Sequence, residues 1–238
     1  SDDNGQPMLA EVITEDALWA CTTCRNCQEH CPVFVEHIDK IIDIRRNMVM
    51  ELAQMPDTVT GALRSIETRG HPWRGTMATR MDWTEGLDVP LISDVGDVDI
   101  LYWVGCTAAL EDRNQKVAIA MARLLKAAGV NFAILGEEEV CCGDPARRMG
   151  NEYLFQMMAQ QNIETLNQYN VKKIVTACPH GYNTLKNEYP QFGGNFEVIH
   201  HTQFLAELIR SGKLKLKAAV GNGRVITFHD SCYLGRHN

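Results

Sequence analysis

The chain has 238 residues and a formal net charge of −7, with 45% hydrophobic and 22% charged residues. The acidic balance, with no basic run, argues against a nucleic-acid-binding protein. No apolar run approaches the roughly 20 residues that a membrane-spanning helix needs, and no signal peptide is recognisable.

The nine cysteines of the chain are clustered in short motifs. Secreted disulfide scaffolds are usually shorter and carry an even number of cysteines. An odd number in metal-like motifs instead indicates a reducing compartment, so we expect a cytoplasmic protein. The chain is long enough for one α/β domain with a smaller module beside it.

The first predicted helix begins at Thr14, a capping hydroxyl that precedes two acidic residues on the positive end of the helix dipole. It leads into four cysteines separated by two, two and three residues and followed by a proline. This is the spacing of the bacterial ferredoxin motif, so it predicts a 4Fe-4S cluster. The four residues are Cys21, Cys24, Cys27 and Cys31.

The spacing places three thiolates on one tight loop, where each can bind a different iron of one cubane cluster. In two-cluster ferredoxins the fourth cysteine of a run serves the other cluster. We therefore expect the first three to share a cluster whose fourth ligand lies upstream of Ser1, and Cys31 to belong to a partner cluster. A zinc site and reduced core cysteines are the alternatives, although zinc prefers two separated cysteine pairs.

Pro32 predicts the start of a second helix, because the first helical residue needs no N–H donor. Apolar residues then recur at helical spacing as far as Leu52, so residues 1–54 are expected to form a small α-helical ferredoxin module. Residues 55–98, interrupted by glycine and proline, are expected to be an extended linker with a short helix around 62–68. We interpret the motif around His71 and Trp73, together with Trp83, as linker aromatics packing on a neighbour; shielding of a cluster is the alternative.

Strands and helices alternate from residue 99 onward, which predicts a parallel, wound α/β sheet in residues 99–238. The predicted strands are residues 100–104, 132–135, 173–176, 196–199 and 224–228. The predicted helices are residues 114–128, 151–170 and 202–211. Ligands of such sheets gather at the carboxyl ends of the strands.

The other five cysteines follow predicted strands, where core cysteines would not be expected to concentrate. They are Cys106, Cys141, Cys142, Cys178 and Cys232. Neighbouring thiolates can hold two different irons, so the pattern favours a second metal–sulfur site over reduced structural cysteines. The pair His200-His201 is interpreted as a strand-to-helix connection, with a metal-binding pair as the alternative.

Four motifs in this region resemble the CCG-domain iron–sulfur oxidoreductases. That family includes relatives of heterodisulfide reductase catalytic subunits, of glycolate and lactate oxidase iron–sulfur subunits, and of membrane oxidoreductases that accept electrons from electron-transfer flavoprotein. The motifs are Val104-Gly105-Cys106, Cys141-Cys142-Gly143-Asp144, Ala177-Cys178-Pro179-His180 and His229-Asp230-Ser231-Cys232. The last resembles the opening of a second CCG unit.

The resemblance implies that Cys106, Cys141, Cys142 and Cys178 ligate an iron–sulfur cluster of the CCG, non-cubane type, and that Cys232 begins a second set. Three departures stand out. Gly181 occupies the position of a fifth cysteine ligand, the second unit stops after Cys232, and the family's upstream ferredoxin motif is absent. We therefore expect a piece of a longer polypeptide that is inactive alone.

The resulting expectation is an iron–sulfur subunit of an oxidoreductase that relays electrons between a flavin or quinone partner and the CCG-type cluster. The implied partners are electron-transfer flavoprotein or another flavoprotein, and quinone through a membrane segment outside this chain. Heterodisulfide reductase-type and glycolate or lactate oxidase-type subunits are alternatives. So is a non-enzymatic, metal-bound docking module.

Metal-free thiol–disulfide exchange by the pair Cys141-Cys142 ranks last among the functions considered. It needs an exposed thiolate of low pKa. The three glutamates that closely precede the pair, ending at Glu139, would raise that pKa.

Overall fold

The computed structural model describes residues 13–73, 77–217, 225 and 227–238. Within these ranges the protein is an α/β structure with a four-stranded parallel sheet, preceded by a helical, cysteine-containing part. The predicted fold class is confirmed. The expected division at residues 54 and 98 stays a prediction.

The helical part begins with α1, Glu15–Ala20, where the Thr14 hydroxyl accepts a hydrogen bond from the Ala17 N–H at 3.2 Å as predicted. The short helix α2, Asn26–Glu29, lies inside the cysteine loop, and α3, His37–Arg46, continues into a π-helical turn, Asn47–Glu51. The prediction that a helix starts at Pro32 is wrong. The backbone turns there, with Phe34 in the left-handed region, so regular hydrogen bonding begins only at α3.

The segment before the sheet contains α4, Asp57–Arg69, a 3₁₀ helix, Met77–Thr84, and the short helix α5, Ile92–Val95. It is more helical than predicted, and its apolar residues belong to the core. Leu63 and Ile66 of α4 are buried against the sheet, and Trp83 packs edge-on against Tyr102 with 6.4 Å between ring centroids.

The sheet consists of β1, Ile100–Trp103, β2, Phe132–Ala133, β3, Lys173–Thr176, and β4, Glu197–His200. All neighbouring pairs are parallel, in the order β2-β1-β3-β4. The first four predicted strands are confirmed within one or two residues at each end. The fifth lies partly outside the described residues, and its described positions 225, 227 and 228 are not in a strand.

Helices cover both faces of the sheet, so alternate strand residues enter two separate cores. Two helices follow β1: α6, Cys106–Leu110, and α7, Asp112–Ala127. Two more lie between β2 and β3: α8, Asp144–Arg148, and α9, Glu152–Gln168. β3 is followed by α10, Pro179–Asn183, a π-helical turn, Thr184–Glu188, and a 3₁₀ helix, Tyr189–Phe192; β4 is followed by α11, His201–Arg210, and later by α12, Cys232–Gly235. Leu101 and Trp103 pack with α9, whereas Tyr102 packs with α7.

Arg45 joins the helical part to the α/β part. Its guanidinium is buried and donates to the carbonyl oxygens of Leu18, Cys21 and Arg148, at 2.6, 2.7 and 3.0 Å. Gly150 makes this approach possible. It has φ +91°, and a Cβ there would lie 2.5 Å from the Arg45 carbonyl carbon.

Gly150→Ala is expected to destabilise the protein more than the same change at another glycine of positive φ. Gly193 has φ +84° and open space around its Cβ position, so Gly193→Ala measures backbone strain alone, about 1 kcal/mol. Gly150→Ala adds a clash with the α3 backbone, so its free energy of unfolding should fall by about 3 kcal/mol in total. Urea unfolding of both variants measures the difference. Equal losses would show that this close approach contributes nothing.

Candidate metal centres

The CCG-type cysteines lie at the reversal point of the sheet. Because β1 has β2 on one side and β3 on the other, the connections leave in opposite directions and a crevice opens between the ends of β1 and β3. Cys106 starts α6 just after β1, and Cys178 directly precedes α10 after β3. Cys106 and Cys178 therefore lie at strand ends as predicted. Cys141 and Cys142 follow β2 only after a further loop that contains a 3₁₀ turn, Gly136–Glu138, and no described strand leads into Cys232.

Three loops bring these thiols together. The sulfur atoms of Cys106 and Cys141 are 3.9 Å apart. A Cβ at Gly105 would lie 3.6 Å from the Cys178 Cβ, so the β1 and β3 loops are in contact. Gly143 turns the chain after Cys142 with φ +88°, and its lack of a side chain admits the Phe155 ring.

The surroundings of these thiols disfavour several thiolates at once. The hydrogen bond between the Cys106 and Cys141 sulfurs lowers the pKa of Cys106 to about 7 and raises the pKa of Cys141 well above its usual value. Burial raises the pKa of Cys178 to about 12. Closely spaced thiols in apolar surroundings ionise together only when a cation neutralises them. Sulfur donors packed in this way fit an iron–sulfur cluster.

A buried carboxylate, whose structural role the sequence does not reveal, holds two of the loops together. Glu139 accepts hydrogen bonds from the backbone N–H groups of Val104 and Gly105, at 3.0 and 2.7 Å. It also forms an ion pair with Arg80, and both side chains are no more than 2% exposed. Since Glu139 closely precedes Cys141, this network fixes the Cys106 loop against the Cys141 loop.

The segment around His71 covers the same edge of the sheet. The Cys141 N–H donates to the Gly70 carbonyl at 2.8 Å, and the Trp73 side chain contributes to the lowered pKa of Cys106. His71 is fully buried, and neither ring nitrogen has a hydrogen-bond partner of normal geometry among the described residues. These contacts favour the alternative interpretation, in which the segment shields the sulfur site.

The ferredoxin-type loop directs backbone N–H groups at its sulfurs. The Thr23 N–H donates to Cys21 at 3.4 Å, and the Val35 N–H donates to Cys31 at 3.3 Å. The N–H of Asn26 lowers the pKa of Cys24. Such donors stabilise negative charge on sulfur, as in cluster-binding loops. Cys27 is exposed, so one side of this loop faces solvent.

The remaining candidates have less specific surroundings. Cys232 starts α12, which contacts α10. His200 ends β4 and His201 starts α11, so the strand-to-helix interpretation of this pair is confirmed. Gly181 donates its N–H to Cys178 at 3.4 Å.

Among the described residues, no group of three or more His, Cys, Asp or Glu side chains is arranged to hold a single metal ion. The assignment of all nine cysteines as cluster ligands therefore stays a prediction. The predicted groups are clusters of several irons, in which each iron binds its own thiolate, rather than single metal ions.

Residues 100–186 match the protein family CCG, described as a cysteine-rich domain. The chain carries a CCG cysteine-rich domain. It is 48% identical over 238 residues to the EtfAB:quinone oxidoreductase of Syntrophomonas wolfei, with 98% of this chain and 33% of that protein aligned. It is 46% identical over 243 residues to the probable iron-sulfur-binding oxidoreductase FadF of Bacillus subtilis, with 99% and 34% aligned.

A third relative is one subunit of the dihydromethanophenazine:CoB–CoM heterodisulfide reductase of Methanosarcina barkeri. The identity is 32% over 229 residues, with 94% of this chain and 54% of that protein aligned. The chain is thus related to iron–sulfur oxidoreductases and spans about a third to a half of the length of these relatives. No solved structure matches it. None of the helices in the described ranges is long and apolar enough to cross a membrane.

Glu139→Gln is expected to lower the free energy of unfolding of the CCG domain by about 3–5 kcal/mol, because it leaves the buried Arg80 charge without a partner. The matched control is Glu137→Gln on the exposed side of the same turn, with a change within about 0.5 kcal/mol. Adding Arg80→Met to Glu139→Gln should recover part of the loss. Urea unfolding measures all three, and equal effects of the two glutamine variants would contradict the role given to Glu139.

Proposed function

We propose that this chain is the electron-relay part of an iron–sulfur oxidoreductase that exchanges electrons with a flavoprotein and a quinone. The observation that carries the proposal is the joining of two cysteine sites in one packed structure. Arg45 contacts the Cys21 carbonyl on one side and the Arg148 carbonyl, close to the CCG cysteines, on the other. The relationship to named iron–sulfur oxidoreductases supports it.

In this proposal Cys21, Cys24 and Cys27 hold a 4Fe-4S cluster with a ligand from outside this chain, and Cys31 serves a partner cluster. Four further cysteines hold the CCG-type cluster, and Cys232 belongs to a second CCG unit. Those four are Cys106, Cys141, Cys142 and Cys178. Bound clusters would supply one-electron transfer; the protein supplies thiolates, N–H donors and a water-poor environment.

The proposed partners follow from the relatives. The name of the Syntrophomonas relative points to the flavoprotein EtfAB as donor and to quinone as acceptor. The exposed side of the ferredoxin-type loop, at Cys27, is where an external donor would approach. We place the chain at the cytoplasmic side, with quinone reached through regions outside it. Disulfide reduction, as in the heterodisulfide reductase relative, is the second candidate activity.

The buried state of the cysteine pair argues against metal-free thiol exchange. Cys141 and Cys142 are 1% and 8% exposed, and the pKa of Cys141 is raised. A nucleophilic thiol needs the opposite, an accessible sulfur of low pKa.

Anaerobic purification of the full-length protein, followed by iron and sulfide counting and EPR, tests the proposal. The expected result is one EPR signal for each proposed centre and a brown protein. Cys24→Ser should remove the ferredoxin-type signal and leave the CCG signal, and Cys178→Ser should do the reverse. Zinc in place of iron would favour a docking module.

Gly181→Cys is expected to strengthen the CCG site by adding a thiolate. A Cβ at this position lies 3.5 Å from the Cys178 Cβ and 3.8 Å from Thr176 Oγ1, so the added Cβ makes ordinary van der Waals contacts. Iron loss to a chelator should slow by about tenfold. Gly61→Cys, on an open helix surface, is the control that adds a thiol elsewhere. Unchanged iron loss would show that the site does not use position 181.

Changing Cys141 and Cys142 together to Ser is expected to stop electron delivery while the ferredoxin-type centre stays reducible. The reason is that each site has its own ligands. The measurement adds reduced flavoprotein to the full-length variant and follows both the ferredoxin-type EPR signal and reduction of quinone or disulfide. Unimpaired turnover would mean that the α/β part is scaffold.

A further inference from the structure

Residues 231–238 lie between the two cysteine sites; we call them the bridging segment. Four hydrogen bonds join it to the ferredoxin-type loop. Tyr233 pairs with the Thr23 hydroxyl at 2.7 Å, and His237 pairs with the Thr23 carbonyl at 3.0 Å. The Arg25 guanidinium donates to the Arg236 carbonyl oxygen at 3.1 Å, and the Arg236 guanidinium donates to the Cys24 carbonyl oxygen at 3.2 Å.

The same segment is also bonded to the α/β part. The Asn238 side chain donates to Asn183 at 3.1 Å and accepts from Asn187 at 2.9 Å. The rings of Tyr233 and His180 lie 3.9 Å apart between centroids. The segment is therefore held from both sides.

Tyr233 contacts residues that neighbour both cysteine sites, Thr23 on one side and His180 on the other. Its side chain is fully buried, and its ring is stacked on His237 with centroids 4.1 Å apart. The Arg148 guanidinium lies 5.7 Å from the ring centre. A buried tyrosine needs a partner for its hydroxyl, and here that partner is Thr23.

A short series of contacts runs from one set of cysteines to the other through this ring. Thr23 lies between Cys21 and Cys24, and its hydroxyl meets Tyr233. The ring then meets His180, two residues after Cys178. His180 Nδ1 is 2.8 Å from Asp144 Oδ2, and Asp144 is two residues after Cys142.

We propose that Tyr233 is the contact through which electrons pass between the ferredoxin-type site and the CCG site. The inference rests on the proposed function. One electron, supplied by a reduced flavoprotein to the first site, leaves it and arrives at the second. Tyr233 gains and loses no atom or electron; its ring supplies a packed and hydrogen-bonded contact between Thr23 and His180. It is a positioning residue rather than a redox centre.

The test uses the full-length, cluster-loaded protein and a rapid reaction with reduced flavoprotein. Tyr233→Leu keeps an apolar filling but loses both the Thr23 bond and the His180 ring contact. It should slow reduction of the CCG centre by about tenfold. Tyr233→Phe and Thr23→Val each break only the hydroxyl link and should slow it by about threefold. Because both remove one link, the double variant should be no slower than either single variant.

Tyr153→Leu is the matched control, because Tyr153 is 67% exposed on α9. It should leave the rate unchanged. Iron content and the EPR spectra of both centres should be unchanged in all variants, which separates coupling from a general role in folding. Hydrogen exchange of the amides in residues 21–27 should rise in Tyr233→Phe, as a direct readout of the lost bond to Thr23.

Wild-type transfer rates in a fully loaded Tyr233→Leu protein would overturn the inference and leave the proposed function standing. Loss of either EPR signal in Tyr233→Phe would also overturn it, since the residue would then be structural. If the wild-type CCG centre is not reduced through the ferredoxin-type centre at all, the proposed function itself fails.

Discussion

The buried carboxylate of Glu139 is the constraint on which the CCG site depends. A charge with 1% exposure must be neutralised and hydrogen-bonded within the protein. Two of its partners are the N–H groups at the end of β1, and the third is Arg80, from the segment that precedes the sheet. One side chain therefore ties three parts of the chain together at the edge where the cysteines gather. The thiol geometry follows from this arrangement, because Cys106 and Cys141 lie on the two loops it joins.

Arg45 has the corresponding role between the helical and α/β parts. It has no carboxylate partner among its hydrogen bonds to the described residues and satisfies its charge with three carbonyl oxygens, one of which belongs to the first cysteine of the ferredoxin-type run. Burial lowers the pKa of this guanidinium, yet its ordinary value lies so high that it stays charged near neutral pH. Glu139 and Arg45 are thus both buried charged groups that hold parts of the chain together. Removing either one lowers the free energy of unfolding more than removing a surface ion pair does, because its buried partners lose their hydrogen-bond donor or acceptor.

Local patterns in the sequence predict the parts whose causes are local. The capping hydroxyl of Thr14 and strand β3 follow from neighbouring residues. Pro32 is misleading, because its fixed φ suits a turn as well as a helix start. In the sequence Glu139 is only a charge that raises thiol pKa values, since its partners in the fold lie far away along the chain. Tyr233 escapes prediction for the same reason: Thr23 is 210 residues away.

The two cysteine sites differ in their access to solvent, and this difference bears on how electrons could move between them. The ferredoxin-type loop exposes Cys27, whereas Cys141 and Cys142 are buried. A partner protein can approach the first site directly at Cys27, whereas the second site keeps the sulfurs of Cys141 and Cys142 away from solvent. Burial also removes water that would otherwise reorganise around each change of charge. An aromatic side chain held in one position suits electron transfer between an exposed and a more buried site. Tyr233 supplies one, because its rigid ring is held by Thr23 on one side and by His180 on the other.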